Sequence, residues 1–217
     1  GDKIGRLNIM AMGSTGMIVQ ATLDGTTAVV IKVFFNELGV LDTNAGAHSR
    51  RLFDHERKVY RTLAGVLGLP QYYGHVVDAG RLDVMLRGAP AIVIGLVHGL
   101  PLSQRLAAGD LDKSPVLASK VLAATNRVVA AMHRRGVVHR GLSPDNIVIL
   151  AGSNGEVAIL DLAIAMREGS FNDVSGPFAI NPDTAGPAVI VDPVVRSEHD
   201  WMAVERAFGT QPRADGC

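Results

Sequence analysis

The pattern of apolar residues changes character near residues 96–99, and this change constrains the fold more than any other feature of the sequence. Before it, short β-branched runs separated by Gly-containing turns predict antiparallel strands, with one helix among them over residues 49–67. After it, residues 114–136 predict a long helix with Ser114 as its N-cap and Pro115 at its first position. The sequence therefore predicts an α+β fold, with a strand-rich part followed by a helix-rich part.

Composition narrows the class of protein. The chain has 217 residues, of which 47% are hydrophobic, so it can bury a substantial core. Its 21 basic and 21 acidic side chains cancel, which gives no bulk attraction to nucleic acid or anionic lipid. No apolar run reaches the roughly 18 residues of a membrane span. Cys217 is the single cysteine, which predicts a reducing compartment and hence the cytoplasm. Because the chain begins with Gly rather than Met, the question of a removed targeting segment stays open.

Three features of the strand-rich part fit a phosphate site. Gly13 and Gly16 lie between two predicted strands, where backbone N–H groups could approach a phosphate closely. Lys32 lies within an apolar strand, where a cation is costly unless it is paired. Glu56 lies on the apolar face of the predicted helix and is the candidate partner of Lys32. Taken singly, these residues could equally be turn glycines, an edge-strand Lys and a surface Glu.

Two polar residues flank a predicted hairpin in the helix-rich part. Asn146 begins the apolar run NIVIL, and Asp161 ends the run VAIL, with a Ser-Asn-Gly turn between the two strands. This arrangement would place two oxygen ligands at the base of one hairpin. Mg²⁺ suits such a pair, because it takes few protein oxygens and fills the remaining positions with phosphate and water. A turn Asn and a turn Asp are the alternative reading.

The order of these parts resembles the protein-kinase superfamily over residues 8–208. A Gly-rich turn, a strand Lys, a helix Glu, a central linker, the run VHRGLSPDN and a strand-terminal Asp follow one another as they do in that family. The resemblance implies a single bilobal domain over residues 1–217. Its N-lobe, residues 1–97, would be β-rich with a helix C, and its helical C-lobe, residues 98–217, would be truncated after a central helix.

The resemblance also implies ATP and Mg²⁺ as cofactors and identifies the residues that would bind them. The candidate nucleotide-binding residues are Gly13, Gly16, Ile18, Val30, Lys32, Glu56, Ile94, Leu96, Val97, Val148 and Asp161, and the candidate metal ligands are Asn146 and Asp161. Val30 stands where the family usually has Ala above the adenine. Overpacking of this kind typically costs about 1–3 kcal/mol, so we expect weakened adenine binding.

Departures from the family pattern decide the function that we expect. Gly141 stands where active members have the Asp that accepts the substrate's proton, and Ser143 stands where a Lys neutralises the transferring phosphate. Losing both should cost several orders of magnitude in rate, so no catalytic residue is assigned. We expect a pseudokinase, a nucleotide-responsive or purely structural scaffold or allosteric regulator. Its partner would be a protein or a client kinase, and its oligomeric state stays open.

The alternative is an unorthodox ATP-dependent protein kinase or phosphotransferase of low activity. The surviving candidate metal ligands favour it, and Asp145 is then the candidate substitute for the missing base. Because Asp145 directly precedes Asn146, however, its side chain is expected to point away from the position of the base.

Overall fold

The computed structural model describes residues 4–5, 7–13, 16–34, 43–79, 88–170 and 194–209, with the backbone alone described at Gly13 and residues 43–48. Its strands are β1 (Asn8–Gly13), β2 (Gly16–Leu23), β3 (Thr27–Phe34), β4 (Tyr72–Val76), β5 (Ala91–Gly95), β6 (Gly99–Pro101), β7 (Val137–Val138), β8 (Ile147–Leu150), β9 (Val157–Ile159) and β10 (Met166–Arg167). Its helices are α1 (Thr43–Thr62), α2 (Leu102–Ala107), α3 (Pro115–His133) and α4 (Glu198–Ala207). The predicted α+β class is confirmed.

The chain divides into two compact units. The first comprises Gly1–Ala64 and Pro70–Leu96, and the second comprises Gly65–Leu69 and Val97–Cys217. The strand-rich part of the sequence thus forms most of one unit, and the helix-rich part forms most of the other. None of the described helices combines the length and the apolar character that a membrane crossing requires.

The first unit is built on a five-stranded antiparallel sheet in the order β1-β2-β3-β5-β4. Asp24 and Gly25 connect β2 to β3 and have φ values of 51° and 76°. Two residues with positive φ are what a tight hairpin needs to match the twist of its strands, so the hairpin predicted here is confirmed. This sheet is compatible with the N-lobe of a kinase.

Helix α1 packs against the sheet through an apolar face that includes Leu52, Phe53 and Val59. Phe53 is completely buried and meets Phe34 of β3 edge-on, with 5.8 Å between ring centroids. The helix starts six residues before the predicted range, because residues 43–48 lack the apolar periodicity that reveals a buried face. It ends at Thr62, shortly before Gly65, which adopts φ of 80°.

The second unit has a core of α3, α4 and the three-stranded antiparallel sheet β6-β8-β9. Ser114 caps α3 by accepting a hydrogen bond from the Leu117 amide at 3.4 Å, and Gly136 beyond its end has φ of 69°. The predicted helix boundaries are thereby confirmed. A further ribbon pairs β7 with β10. Strands β6, β7 and β10 escaped prediction because alternation over two or three residues cannot be read from a sequence.

Candidate functional site

Lys32 and Glu56 form an ion pair in the first unit. The Lys32 Nζ lies 2.8 Å from the Glu56 Oε2, and the side chains are 21% and 1% exposed, respectively. A buried carboxylate is costly unless a cation and hydrogen bonds compensate for its lost hydration, and Lys32 provides the cation. The pair therefore attaches α1 to β3, while the partial exposure of Lys32 leaves its charge able to act on an anion.

The apolar residues predicted to contact adenine share a face of the sheet with Lys32. Ile18 of β2 lies directly opposite Lys32, and Val30 lies opposite Ile94 of β5. Cross-strand partners project from the same side of a sheet, so these four residues form one surface. All four are partly rather than fully buried. The surface combines hydrocarbon with one cation, which suits a flat aromatic base attached to phosphates.

Gly16 has a structural explanation that involves no ligand. It pairs with Gly13 across β1 and β2, and a Cβ atom on Gly16 would collide with the carbonyl oxygen of Val33. Close approach of the β3 backbone therefore requires glycine at this position. The two residues between the glycines lie outside the described part of the chain. Phosphate binding by Gly13 and Gly16 stays a prediction.

Leu96 and Val97 differ from each other in the hydrogen bonding of their backbones. The Leu96 amide donates to the carbonyl of Ala28 at 3.2 Å, and the preceding Gly95 amide donates to the backbone carbonyl of Gln71 at 2.8 Å. Within the described residues, by contrast, no hydrogen bond is found at the Val97 backbone. Its N–H and C=O are therefore available to the edge of a heterocyclic base, and adenine binding by Leu96 and Val97 stays a prediction.

In the second unit, a buried carboxylate holds the loop that carries Gly141. Asp200 at the start of α4 is completely buried. Its Oδ2 accepts from the His139 amide at 2.7 Å and from the His133 Nε2 at 2.8 Å, and its Oδ1 accepts from the Arg140 amide at 2.8 Å. These charge-assisted bonds support an unusual backbone, since Arg140 has φ of 66°.

The side chain of His139 ties the same loop to the end of β9. The Gly141 amide donates to the His139 Nδ1 at 3.2 Å, so the proton of the neutral ring lies on Nε2. That Nε2 donates to the carbonyl of Leu160 at 2.9 Å. His139 is completely buried, and it connects the loop to the residue that precedes Asp161.

Asn146 and Asp161 lie at the base of the β8–β9 hairpin. The Leu160 amide donates to the carbonyl of Asn146 at 2.8 Å, which brings the backbone beside Asp161 next to Asn146. The Asn146 Nδ2 donates to the carbonyl of Gly141 at 2.8 Å, and its Oδ1 has no hydrogen-bond partner in the described part of the chain. Asp161 is exposed and has φ of 60°.

These two side chains offer the hard oxygen donors that Mg²⁺ prefers. Phosphate and water would have to complete the coordination. No group of three or more His, Cys, Asp or Glu side chains suited to a metal occurs among the described residues. Val148 of β8 is 5% exposed and, by strand alternation, lies on the face opposite Ile147 and Ile149, which belong to the core.

Asp145 is engaged elsewhere. Its Oδ1 accepts a hydrogen bond of 2.5 Å from the Ser103 hydroxyl, and the Ser103 amide donates to the carbonyl of Pro144 at 3.1 Å. The carboxylate is thereby held at the first turn of α2. Ser143, which stands where the resemblance predicts a Lys, is 8% exposed. Sequence reasoning missed Ser103 because it lies 42 residues from Asp145 and no local pattern marks the contact.

Comparison with known proteins supports a distant relationship. The chain is 30% identical over 138 residues to the probable serine/threonine-protein kinase pknA2 of Bifidobacterium longum, a match covering 63% of this chain and 16% of that protein. It is 31% identical over 102 residues to a probable serine/threonine-protein kinase of Corynebacterium efficiens, covering 47% of this chain and 15% of that protein. The chain thus spans a small part of each relative's length. No protein-family model matches it. The two matches suggest a kinase-like relationship.

Proposed function

We propose that this chain is a kinase-related protein that binds a nucleoside triphosphate with Mg²⁺ and lacks efficient phosphate transfer, which makes it a pseudokinase. One observation carries the proposal. The loop around Gly141 has its supporting hydrogen bonds from Asp200, His139 and Asn146, yet position 141 has no side chain to accept a proton. A positioned base typically contributes 10²–10⁴-fold in rate, so its loss would slow phosphate transfer by about that factor without removing the surrounding site.

The binding half of the proposal rests on residues in each unit. In the first unit, Lys32 would attract the phosphates, while the apolar surface of Ile18, Val30 and Ile94 would pack against the base. In the second unit, Asn146 and Asp161 would hold Mg²⁺, which when bound neutralises phosphate charge. The similarity to kinases supports ATP as the nucleotide and Mg²⁺ as the metal, because kinases use both.

A protein that binds nucleotide without turnover fits a regulatory role. We propose that the chain acts in the cytoplasm as a scaffold or allosteric partner of another protein, such as a client kinase. A bound nucleotide stabilises whichever conformation it binds best, so its occupancy could be communicated to a partner. Co-purification with and without Mg²⁺-ATP would test this role, and a partner set insensitive to nucleotide would contradict it.

The runner-up function is a slow phosphotransferase in which Asp145 replaces the missing base. The hydrogen bond from Ser103 speaks against it, because the Asp145 carboxylate is held at α2. Asp145→Asn separates the two functions. Under the pseudokinase proposal, this variant binds Mg²⁺-ATP as the wild type does, and neither protein transfers phosphate above the level of Asp161→Asn. Transfer that disappears in Asp145→Asn would favour the slow enzyme.

Thermal unfolding with ATP, with and without Mg²⁺, tests binding directly. A ligand at about 100 times its Kd stabilises the folded state by about 2.7 kcal/mol, which corresponds to a rise in Tm of about 5–10 °C for a chain of this size. Asp161→Asn should lose the Mg²⁺-dependent part of the rise. Asp145→Asn makes the same charge change at an exposed carboxylate and should retain it. Absence of any shift in the wild type, supported by calorimetric titration, would refute nucleotide binding.

A double variant tests the part of the first unit in nucleotide binding. Lys32→Met combined with Glu56→Gln removes the cation and the charge of its buried partner together. We expect the double variant to lose nucleotide-dependent stabilisation. Its retention would exclude Lys32 from nucleotide binding.

A further inference from the structure

Ile164 lies where a side chain at position 141 would begin. A Cβ atom built on Gly141 would be 2.8 Å from the Cδ1 and 3.3 Å from the Cγ1 of Ile164. Ordinary contacts between carbon atoms lie at about 3.5–4.0 Å. Gly141 itself is buried within the loop. The hydrocarbon of Ile164 therefore crowds the point at which a side chain at position 141 would leave the backbone.

The backbone of Ile164 is held in place. Its carbonyl accepts a hydrogen bond of 3.1 Å from the Arg140 Nη1, and the guanidinium belongs to a residue that is only 3% exposed. The adjacent Ala165 is completely buried, and its amide donates to the carbonyl of Leu162 at 3.2 Å. Relief of the close contact with position 141 therefore has to come from rotation of the Ile164 side chain rather than from movement of its backbone.

That side chain can yield only in part. Rotation about χ2 would carry Cδ1 away from Gly141, but it would leave Cγ1 at its close distance. Moving Cγ1 requires a change in χ1, which is restricted in β-branched residues. A single added carbon at position 141 can be accommodated by a small shift, whereas a longer side chain would compete with Ile164 for the same space.

The backbone at position 141 is equally constrained. Its N–H donates to the His139 Nδ1 at 3.2 Å, and its C=O accepts from the Asn146 Nδ2 at 2.8 Å. A retreat of this backbone would break bonds to a completely buried ring and to a candidate metal ligand. The backbone at position 141 therefore cannot retreat without disturbing the loop.

We propose that Gly141 and Ile164 form one packing unit, in which the hydrocarbon of Ile164 excludes a longer side chain from position 141. Restoring a carboxylate there therefore requires a simultaneous shortening of Ile164. The packing relation stands on geometry alone, while its significance for phosphate transfer rests on the proposed function. Under the proposed function, the loss of the base would then be maintained by two residues rather than one.

A double-mutant cycle in thermal unfolding tests the proposal, using Gly141→Asp, Ile164→Ala and the two together in the full chain. We expect Gly141→Asp to lower Tm by about 4–8 °C, and the double variant to recover at least half of that loss. Tm losses that simply add would overturn the proposal. Because an introduced carboxylate is also costly to bury, a parallel cycle with Gly141→Leu checks the steric effect alone. The Gly141→Leu cycle should show the same rescue by Ile164→Ala, and additive losses in Tm in that cycle would also overturn the proposal.

Ile159→Ala provides the matched control. Ile159 is completely buried in the same unit but is absent from the close neighbours of Gly141. Combined with Gly141→Asp or Gly141→Leu, it should give additive losses in Tm, and rescue by this variant would show that Ile164 is not the specific partner. The rise in Tm of the wild type with Mg²⁺-ATP, measured alongside, separates the test of nucleotide binding from the test of the packing relation. Without that shift the proposed function fails, while the cycle still decides the packing relation.

Discussion

Removing Lys32 should destabilise the protein through the carboxylate that it leaves behind. In Lys32→Met, the side chain keeps a similar length and hydrocarbon stem, so the main change is the loss of the cation 2.8 Å from Glu56. The Glu56 side chain is 1% exposed, so water cannot replace the lost partner without a local opening of α1. The perturbation therefore removes the cation from a buried carboxylate.

The magnitude follows from this burial. Breaking a buried ion pair by removing one partner costs about 3–5 kcal/mol, whereas replacing both charges with neutral groups is often close to neutral. We therefore expect Lys32→Met to lower the free energy of unfolding by about 3 kcal/mol or more, and Lys32→Met/Glu56→Gln to recover most of it. Exposed pairs are worth about 0–1 kcal/mol, so the Arg127–Glu156 pair, with side chains 60% and 62% exposed, provides the comparison.

Urea unfolding of the wild type, both Lys32 variants and Arg127→Met gives the four free energies needed. Near-ultraviolet circular dichroism would follow loss of tertiary packing, with far-ultraviolet circular dichroism as a second probe of cooperativity. The reasoning would be refuted if Lys32→Met cost no more than Arg127→Met. It would be refuted equally if the double variant were as unstable as Lys32→Met, since the loss would then not arise from a buried carboxylate deprived of its cation.

Three further predictions concern pH, a helix cap and the loop. Partial desolvation and then the Arg57 guanidinium lower the pKa of His75, whose Nε2 accepts from Arg57 at 3.1 Å, so neutral His75 is favoured in the folded state. Its contribution to stability is present above its unfolded pKa of about 6.5 and is lost as pH falls, so His75→Gln should flatten Tm between about pH 7 and 5. Ser114→Ala should cost about 0.5–1 kcal/mol by chemical denaturation, since its capping bond is long, while the exposed Ser119→Ala should cost less. Asp200→Asn should speed hydrogen exchange at the amides of residues 139 and 140 without changing protection in the first unit, and uniform loss of protection would contradict a local role.

The features predicted correctly from the sequence are those whose causes lie close together along the chain. Ser114, Pro115 and Gly136 mark the ends of α3 through local hydrogen bonding and φ preference, and the structure has the helix between them. The pairing of Lys32 with Glu56 could be predicted because each charge interrupts an apolar face, which requires a partner. The start of α1 could not, since residues 43–48 carry no such pattern.

The contacts that escaped prediction are non-local and depend on packing detail. Ser103 reaches Asp145 across 42 residues, and Ile164 reaches Gly141 across a chain reversal. Both contacts depend on loops whose paths are set by several buried hydrogen bonds, and no periodicity encodes such a path. The run VHRGLSPDN identified the loop. Only the three-dimensional arrangement reveals that Asp145 is held by α2 and that hydrocarbon lies beside Gly141.

The buried charges bear on what this architecture is maintained for. Glu56 and Asp200 are 1% and 0% exposed, and each is compensated by specific partners in its own unit. Well-packed apolar side chains could often replace such charges with equal or greater stability. A fold maintained for stability alone would therefore have little use for them. Their presence is better explained by a requirement for defined positions of Lys32 and of the loop around Gly141, which supports binding as the function that these positions serve.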